Sequence, residues 1–162
     1  MLAQALRKRL GKAAKDEQGF TLIELLAVIV IMGIIAVIAI PMISGLIKNT
    51  GDKADLATAR QIYEASRMYI TTELDGKIDS QVIDVIGTAP TDSAAGTGLQ
   101  GLKFLETPLV LPSTKANIVT GSTINYSGGK LADNSSGYAV LITDGTVTKK
   151  FTAEEVLKTK LK

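Results

Sequence analysis

Glu24 is the residue whose chemistry most constrains the N-terminal part of this chain. It is the only charge between Phe20 and Ile47, and the 23 residues from Leu25 to Ile47 carry none. A bilayer core needs about 20 apolar helical residues, so the run has membrane length. A carboxylate held in hydrocarbon is costly, and either becomes neutral or finds a partner. Two roles fit. Glu24 can sit at headgroup level and complement the positive end of its own helix, or it can be held for a positive group on another chain.

Other site chemistries are narrow. The 162 residues include no Cys and no His, which removes the usual zinc sites, Ser-His-Asp triads and Cys-His dyads together. It also removes disulfides, so any exported domain must hold by packing alone. Asp133-Asn134-Ser135 and Asp92-Ser93 are oxygen-rich, but their isolated carboxylates suit turns better than a calcium loop. No glycine pattern for cradling phosphate is present. The sequence gives no reason to expect an enzyme, a cofactor or a metal. Lys149, Lys150, Lys158, Lys160 and Lys162 form the one local positive cluster after the first 20 residues. It could touch DNA or an anionic surface polymer; a solvated tail is the simpler reading.

The elements that must carry these residues follow from patterning. Residues 1–19 hold Arg7, Lys8, Arg9, Lys12 and Lys15 against Asp16 and Glu17, a net +3 within a whole-chain +2. The basic balance therefore belongs to this flank and is no nucleic-acid footprint. The apolar run is too long for the core of a cleaved secretory signal. Gly33 and Pro41 interrupt it; Pro41 has no N–H for the carbonyl of Val37. Beyond a Lys48–Lys53 break, Leu56, Ala59, Tyr63, Ser66 and Ile70 recur at helical spacing, with Ile62 and Tyr69 broadening the stripe. Arg60, Glu64 and Arg67 lie on the other side as candidate ion pairs. A helix from Phe20 to Leu74 would span roughly 80 Å, with Gly51 its weak point and Asp75-Gly76 its end.

The spacing predicts a short amphipathic helix over residues 79–86, capped by Asp79 or Ser80 and stopped at Gly87. An exposed Gly-rich loop follows, over residues 87–101. Strands are expected at Leu102–Leu105, Leu109–Leu111, Ala116–Thr120 and Ser122–Tyr126. Tyr138–Thr143 and Thr146–Lys150 flank Asp144-Gly145, the strongest hairpin signal in the chain. Thr152 and Glu155 form a capping box ahead of Val156, Leu157 and Leu161.

The string GFTLIELL, residues 19–26, resembles the processing site of type IV pilins and pseudopilins. The likeness covers about residues 15–60: charges before Gly19, then Phe20, Thr21, Leu22, Glu24, Leu25 and Leu26, with Gly33 and Pro41 where the family places a helix weakness. It does not extend to the rest of the chain. The resemblance implies removal of a leader, residues 1–19, by a prepilin peptidase cutting between Gly19 and Phe20, and N-methylation of Phe20. It implies that Glu24 meets the Phe20 amine of a neighbouring subunit and sets axial stagger. It also implies that Gly33 to Pro41 can lose helical bonding as a filament stretches.

The fold expected on this basis is α+β. A long helix, residues 20–75, has residues 20–47 as transmembrane segment and filament core. It packs against a small antiparallel sheet of about four strands in a head, residues 76–162. The resemblance implies a structural filament subunit whose partners are copies of itself, minor pilins, the peptidase, an assembly platform protein and its ATPase, and membrane lipid before assembly. A pseudopilin of a type II secretion or competence machine is the alternative. A signal-anchored extracellular module that never polymerises is another. The precursor is expected to cross the membrane once, basic end in the cytoplasm, and the lack of cysteine leans towards Gram-positive members.

Overall fold

The computed structural model describes residues 20–87 and 97–158. Asp92 and Ser93, Gly19 and Lys160 to Lys162 lie outside the described residues. The chain divides into two compact units, Met1–Gly45 and Leu46–Lys162.

The described part of the first unit is helical from Leu22 onward. Helix α1 as a whole is Leu22–Glu73, with Pro41 inside it. The helix continues through Lys48–Lys53, where the sequence suggests a break. Gly51 is more than a weak helix former there. A Cβ at this position would lie 3.3 Å from the Ser113 Cβ, so its missing side chain lets the loop holding Ser113 approach. The helix ends where Asp75 and Gly76 turn left-handed (φ 50° and 74°) and Gly76 donates to the carbonyl of Ile70.

In the second unit α1 supplies one wall of a hydrophobic core. Leu56, Ala59, Ile62, Ala65 and Ile70 are buried, at the helical spacing that brings them to one stripe. Full burial of a Leu or Ile contributes about 1.5–3 kcal/mol each. Opposite lie β1 (Gln81–Asp84), β4 (Thr123–Ser127), β6 (Val140–Thr143) and β7 (Thr148–Phe151), hydrogen-bonded in the order β1-β4-β6-β7, all antiparallel. β5 (Lys130–Leu131) pairs with the end of β4, and β2 (Val110–Leu111) with β3 (Ala116–Asn117) makes a separate two-stranded ribbon. Ile83, Ile124, Val140 and Ile142 point into the core. The Ser66 and Tyr126 hydroxyls lie 2.6 Å apart and join α1 to β4 inside it. The α+β architecture, a long helix followed by a small antiparallel sheet, is therefore present.

The β6–β7 hairpin forms at Asp144-Gly145. Asp144 Oδ1 accepts from the backbone N–H of Thr146 (2.9 Å) and Val147 (2.6 Å), and Gly145 supplies φ 90°. The last helix, α3 (Ala153–Leu157), begins with the capping box expected of Thr152 and Glu155.

Three expectations are corrected. Residues 81–84 form strand β1, not a helix, because they pair along β4 from Gln81↔Tyr126 to Asp84↔Thr123. The Gly-rich loop is not wholly exposed: Gly98–Gly101 forms the short helix α2, and its Leu99 is fully buried. Leu102–Leu105 forms turns after α2 rather than a strand, with Phe104 and Leu105 both donating to the Leu99 carbonyl.

Candidate functional site

Thr21 and Glu24 build the start of α1 between them. The Thr21 backbone N–H donates to Glu24 Oε2 at 2.7 Å and the Thr21 hydroxyl donates to the same oxygen at 2.8 Å. In return the Glu24 N–H donates to Thr21 Oγ1 at 3.3 Å. This reciprocal arrangement is a capping box, which satisfies backbone donors that the first helical turn leaves without partners. It repeats the Thr152–Glu155 box of α3, where Thr152 N–H to Glu155 Oε2 is 2.9 Å. The Thr-x-x-Glu spacing that identifies the second box in the sequence is also present at the first. Thr21, which enters the sequence reading only as part of the GFTLIELL likeness, is thus also a capping residue whose pattern the sequence carries.

Both bonds from Thr21 converge on Oε2. Among the described residues, nothing donates to Oε1. Phe20, one residue before the box, is 82% exposed, so the head of the helix presents an aromatic side chain and an open carboxylate oxygen together. The role of Glu24 at its own helix end is therefore visible, and it uses only part of the carboxylate.

Every large apolar side chain from Leu22 to Ile47 is exposed, from Leu26 at 52% to Leu22 at 83%. The helix is long and apolar enough to cross a membrane. Such an area cannot stay in water: at about 25 cal/mol per Å² its burial is a large driving force for insertion or association. Gly33 and Gly45 have nothing within 4 Å of where a Cβ would stand, so neither is needed for packing within one chain. Pro41 leaves the Val37 carbonyl without its helical donor. Nearby, the Ser44 and Thr50 hydroxyls donate back to the carbonyls of Ile40 (3.0 Å) and Leu46 (2.9 Å).

The remaining charged candidates have structural partners. Lys149 donates to Asp52 Oδ1 at 2.7 Å and approaches Asp55. Lys150 lies over the Tyr138 ring, 5.1 Å from its centroid, and Lys158 pairs with Glu154. Among the described residues of the positive cluster, Lys149, Lys150 and Lys158 thus each turn to a different neighbour. Asp133 accepts from the Ala153 N–H at 2.7 Å, and Asn134 from the Ser136 N–H at 2.9 Å, so both are turn and helix caps. Among the described residues no group of three or more His, Cys, Asp or Glu could hold a metal ion. Arg60 does not pair with Glu64; it donates to the carbonyls of Glu155, Val156 and Lys158 and ties the end of α3 to α1. Arg67 does pair with Glu64, at 3.4 Å.

Residues 14–40 match the family model of the prokaryotic N-terminal methylation motif. No solved structure matches the chain.

Proposed function

From a chain that carries the N-terminal methylation motif of the type IV prepilin-like family, we propose a structural, non-enzymatic subunit of a pilus-like filament. The observation that carries this reading is the motif over residues 14–40 joined to a helix whose large apolar residues from Leu22 to Ile47 are all exposed. A single-pass membrane precursor fits the same two facts.

The mechanism begins in the membrane. The five basic residues before Gly19 hold that end in the cytoplasm, and residues 76–162 lie outside. Prepilin peptidase cuts between Gly19 and Phe20, and the new Phe20 amine is methylated. The amine then stands beside the positive end of the helix, where an anion is favoured. Glu24 retains Oε2 for its own Thr21 and offers Oε1 to the Phe20 amine of the next copy. In hydrocarbon that pairing relieves two costly groups at once, and it is satisfied at one axial offset only. Helix exchange from lipid into a core of like helices supplies the bulk of the contact. Pro41 removes one helical hydrogen bond and Gly33 is a weak helix former, so that the segment between them can extend under load.

The partners that go with this reading are further copies of the chain, minor pilins, the peptidase, a platform protein and its ATPase. A chain without cysteine suits a Gram-positive surface. The test is mass spectrometry of the protein extracted from membranes and from sheared surface filaments. The expected N-terminus is methylated Phe20 in both. An intact residue 1–19 segment on the functional protein would overturn the reading.

A further inference from the structure

A groove of about 380 Å³ opens on the second unit between the end of α1, the β4–β5 hairpin and α3. Its floor is apolar, from Ile70, Ile78, Leu131 and Leu157, and Arg67 and Lys130 provide its charge. No carboxylate lines it. The Lys130 side chain makes no ion pair among the described residues. The one carboxylate Arg67 pairs with among the described residues is the exposed Glu64, at 3.4 Å, a type of pair worth little in water. The groove therefore calls for an apolar side chain next to an acid.

Nucleic acid is a poor occupant, because stacking needs open rings. Tyr126 is 6% exposed, and Arg67 lies over the Tyr63 face at 5.8 Å. The chain's own residues 159–162 are also a poor occupant, since they add Lys160 and Lys162 to a positive surface.

One described surface of the same chain has the required chemistry. On β1, Val82 is 59% exposed and Asp84 is exposed, while Ile83 between them is buried. Alternation places Val82 and Asp84 together on the face turned away from the core. The Asp84 side chain has no ion pair or hydrogen bond among the described residues. Leu46 and Ile47 are exposed as the end of the apolar run, followed by Lys48 rather than an acid, and the other large exposed apolar residues described in this unit do not offer this pairing either. Met68 has Glu64 a turn away, taken by Arg67; Leu157 has Glu154, taken by Lys158; Val110 is flanked by prolines and leucines. Val82 and Asp84 lie beside Tyr69, Gly98 and Leu102, none of which lines the groove, so one copy does not fill its own groove.

We propose that the groove receives Val82 and Asp84 of β1 from a second copy of this chain, with Arg67 and Lys130 meeting Asp84. The inference rests on the filament reading above. The two patches share no residue, so the contact is heterologous, the type that builds a helical polymer when the rotation between copies does not close a ring. Its charges fix register between copies, and the apolar helices supply the avidity that a small contact lacks.

The absence of cysteine makes the test clean. Full-length chain carrying Val82→Cys and Leu157→Cys together is expressed, and sheared filaments are oxidised with copper phenanthroline and air. The expected result is a covalent ladder of dimers, trimers and longer species, with no ladder from either single variant. In parallel, Asp84→Lys alone and Arg67→Glu with Lys130→Glu should each lose most of the filament yield, and the three together should recover it. Filaments that contain the double-cysteine chain yet give no ladder overturn the proposed contact and leave the polymer reading standing. Absence of filaments from the unaltered chain overturns the polymer reading and this contact with it.

Discussion

The Lys149 ammonium on β7 lies 3.4 Å from Asp55 Oδ2 on α1, and Asp55 is fully buried. The Asp55 Oδ1 atom accepts from the Ser113 N–H at 2.9 Å, but Oδ2 has no hydrogen bond of its own. Lys149 is thus what compensates a buried charge. Lys149→Met should destabilise the second unit by about 2–3 kcal/mol, below the ~3–5 kcal/mol of a wholly buried pair because Lys149 is 26% exposed. Adding Asp55→Asn, which keeps the acceptor for Ser113 and removes the charge, should recover most of the loss. Denaturant unfolding followed by tyrosine fluorescence, with no Trp to interfere, measures both.

The same cluster sets a pH range. The Lys149 hydrogen bond and charge hold the Asp52 carboxyl below its ordinary 3.8. Its contribution is complete above 3.8 and is lost as pH falls through the lower folded value. Asp144, held low by N–H groups of its own turn and by Thr114, acts in the same direction. Lys149 is raised above its ordinary 10.5, first by the Asp52 hydrogen bond. Its contribution is complete below 10.5 and is lost as pH rises through the higher folded value. Stability should be flat across neutral pH and fall on both sides. Lys149→Met should shrink the alkaline fall, leaving the part due to Tyr126, whose hydroxyl is held above its ordinary 10.0 by burial, and shrink the acid one, leaving the part due to Asp144. Unfolding midpoints across pH check this.

What the sequence could reveal depended on how local each signal was. The apolar run, the Asp144-Gly145 hairpin and the Thr152–Glu155 box are specified within a few residues, and each stands in the structure. Residues 79–86 misled because Asp79-Ser80 and Gly87 punctuate them like a helix. Yet Val82, Ile83, Asp84 and Val85 alternate exposed and buried, the period of a strand, and pairing with β4 decides the matter. Leu99 is hidden by its glycine-rich neighbours. Asp55 and Lys149 are 94 positions apart, and Arg60 meets carbonyls more than 90 residues away. Such partners follow from the tertiary fold, and no local pattern marks them. At the candidate site the Thr-x-x-Glu pattern was legible at Thr21, whereas any partner for Glu24 Oε1 on another chain cannot be marked by the sequence of one.

Gly87 and Gly98 meet backbone to backbone at the foot of the segment between them. A Cβ on Gly98 would stand 2.7 Å from the Gly87 nitrogen, at φ 68°, and one on Gly87 would strike the Thr97 carbonyl. Neither obstacle is the end of a flexible side chain. Gly87→Ala should therefore cost about 1–3 kcal/mol as overpacking. Gly137→Ala, with φ 76° but nothing within 4 Å, should cost about 1 kcal/mol from backbone conformation alone. The ordering of the two in a denaturant titration is the check; equal losses would show that the contact at Gly87 yields readily.

Glu24 separates capping from assembly. Glu24→Ala removes the acceptor for two Thr21 donors and should weaken the helix start by about 0.5–2 kcal/mol, leaving the apolar run to hold the chain in the membrane. Glu24→Gln keeps a side-chain oxygen for the Thr21 N–H and hydroxyl, so the cap survives, but it abolishes the charge offered to a neighbouring amine. Both variants should be found in the membrane fraction with Phe20 exposed by cleavage, and both should be depleted from sheared filaments. If Glu24→Gln assembles as the unaltered chain does while Glu24→Ala fails, the carboxylate serves its own helix end and the charge is not what sets the stagger. Quantifying the chain in membrane and filament fractions for the two variants side by side decides between them.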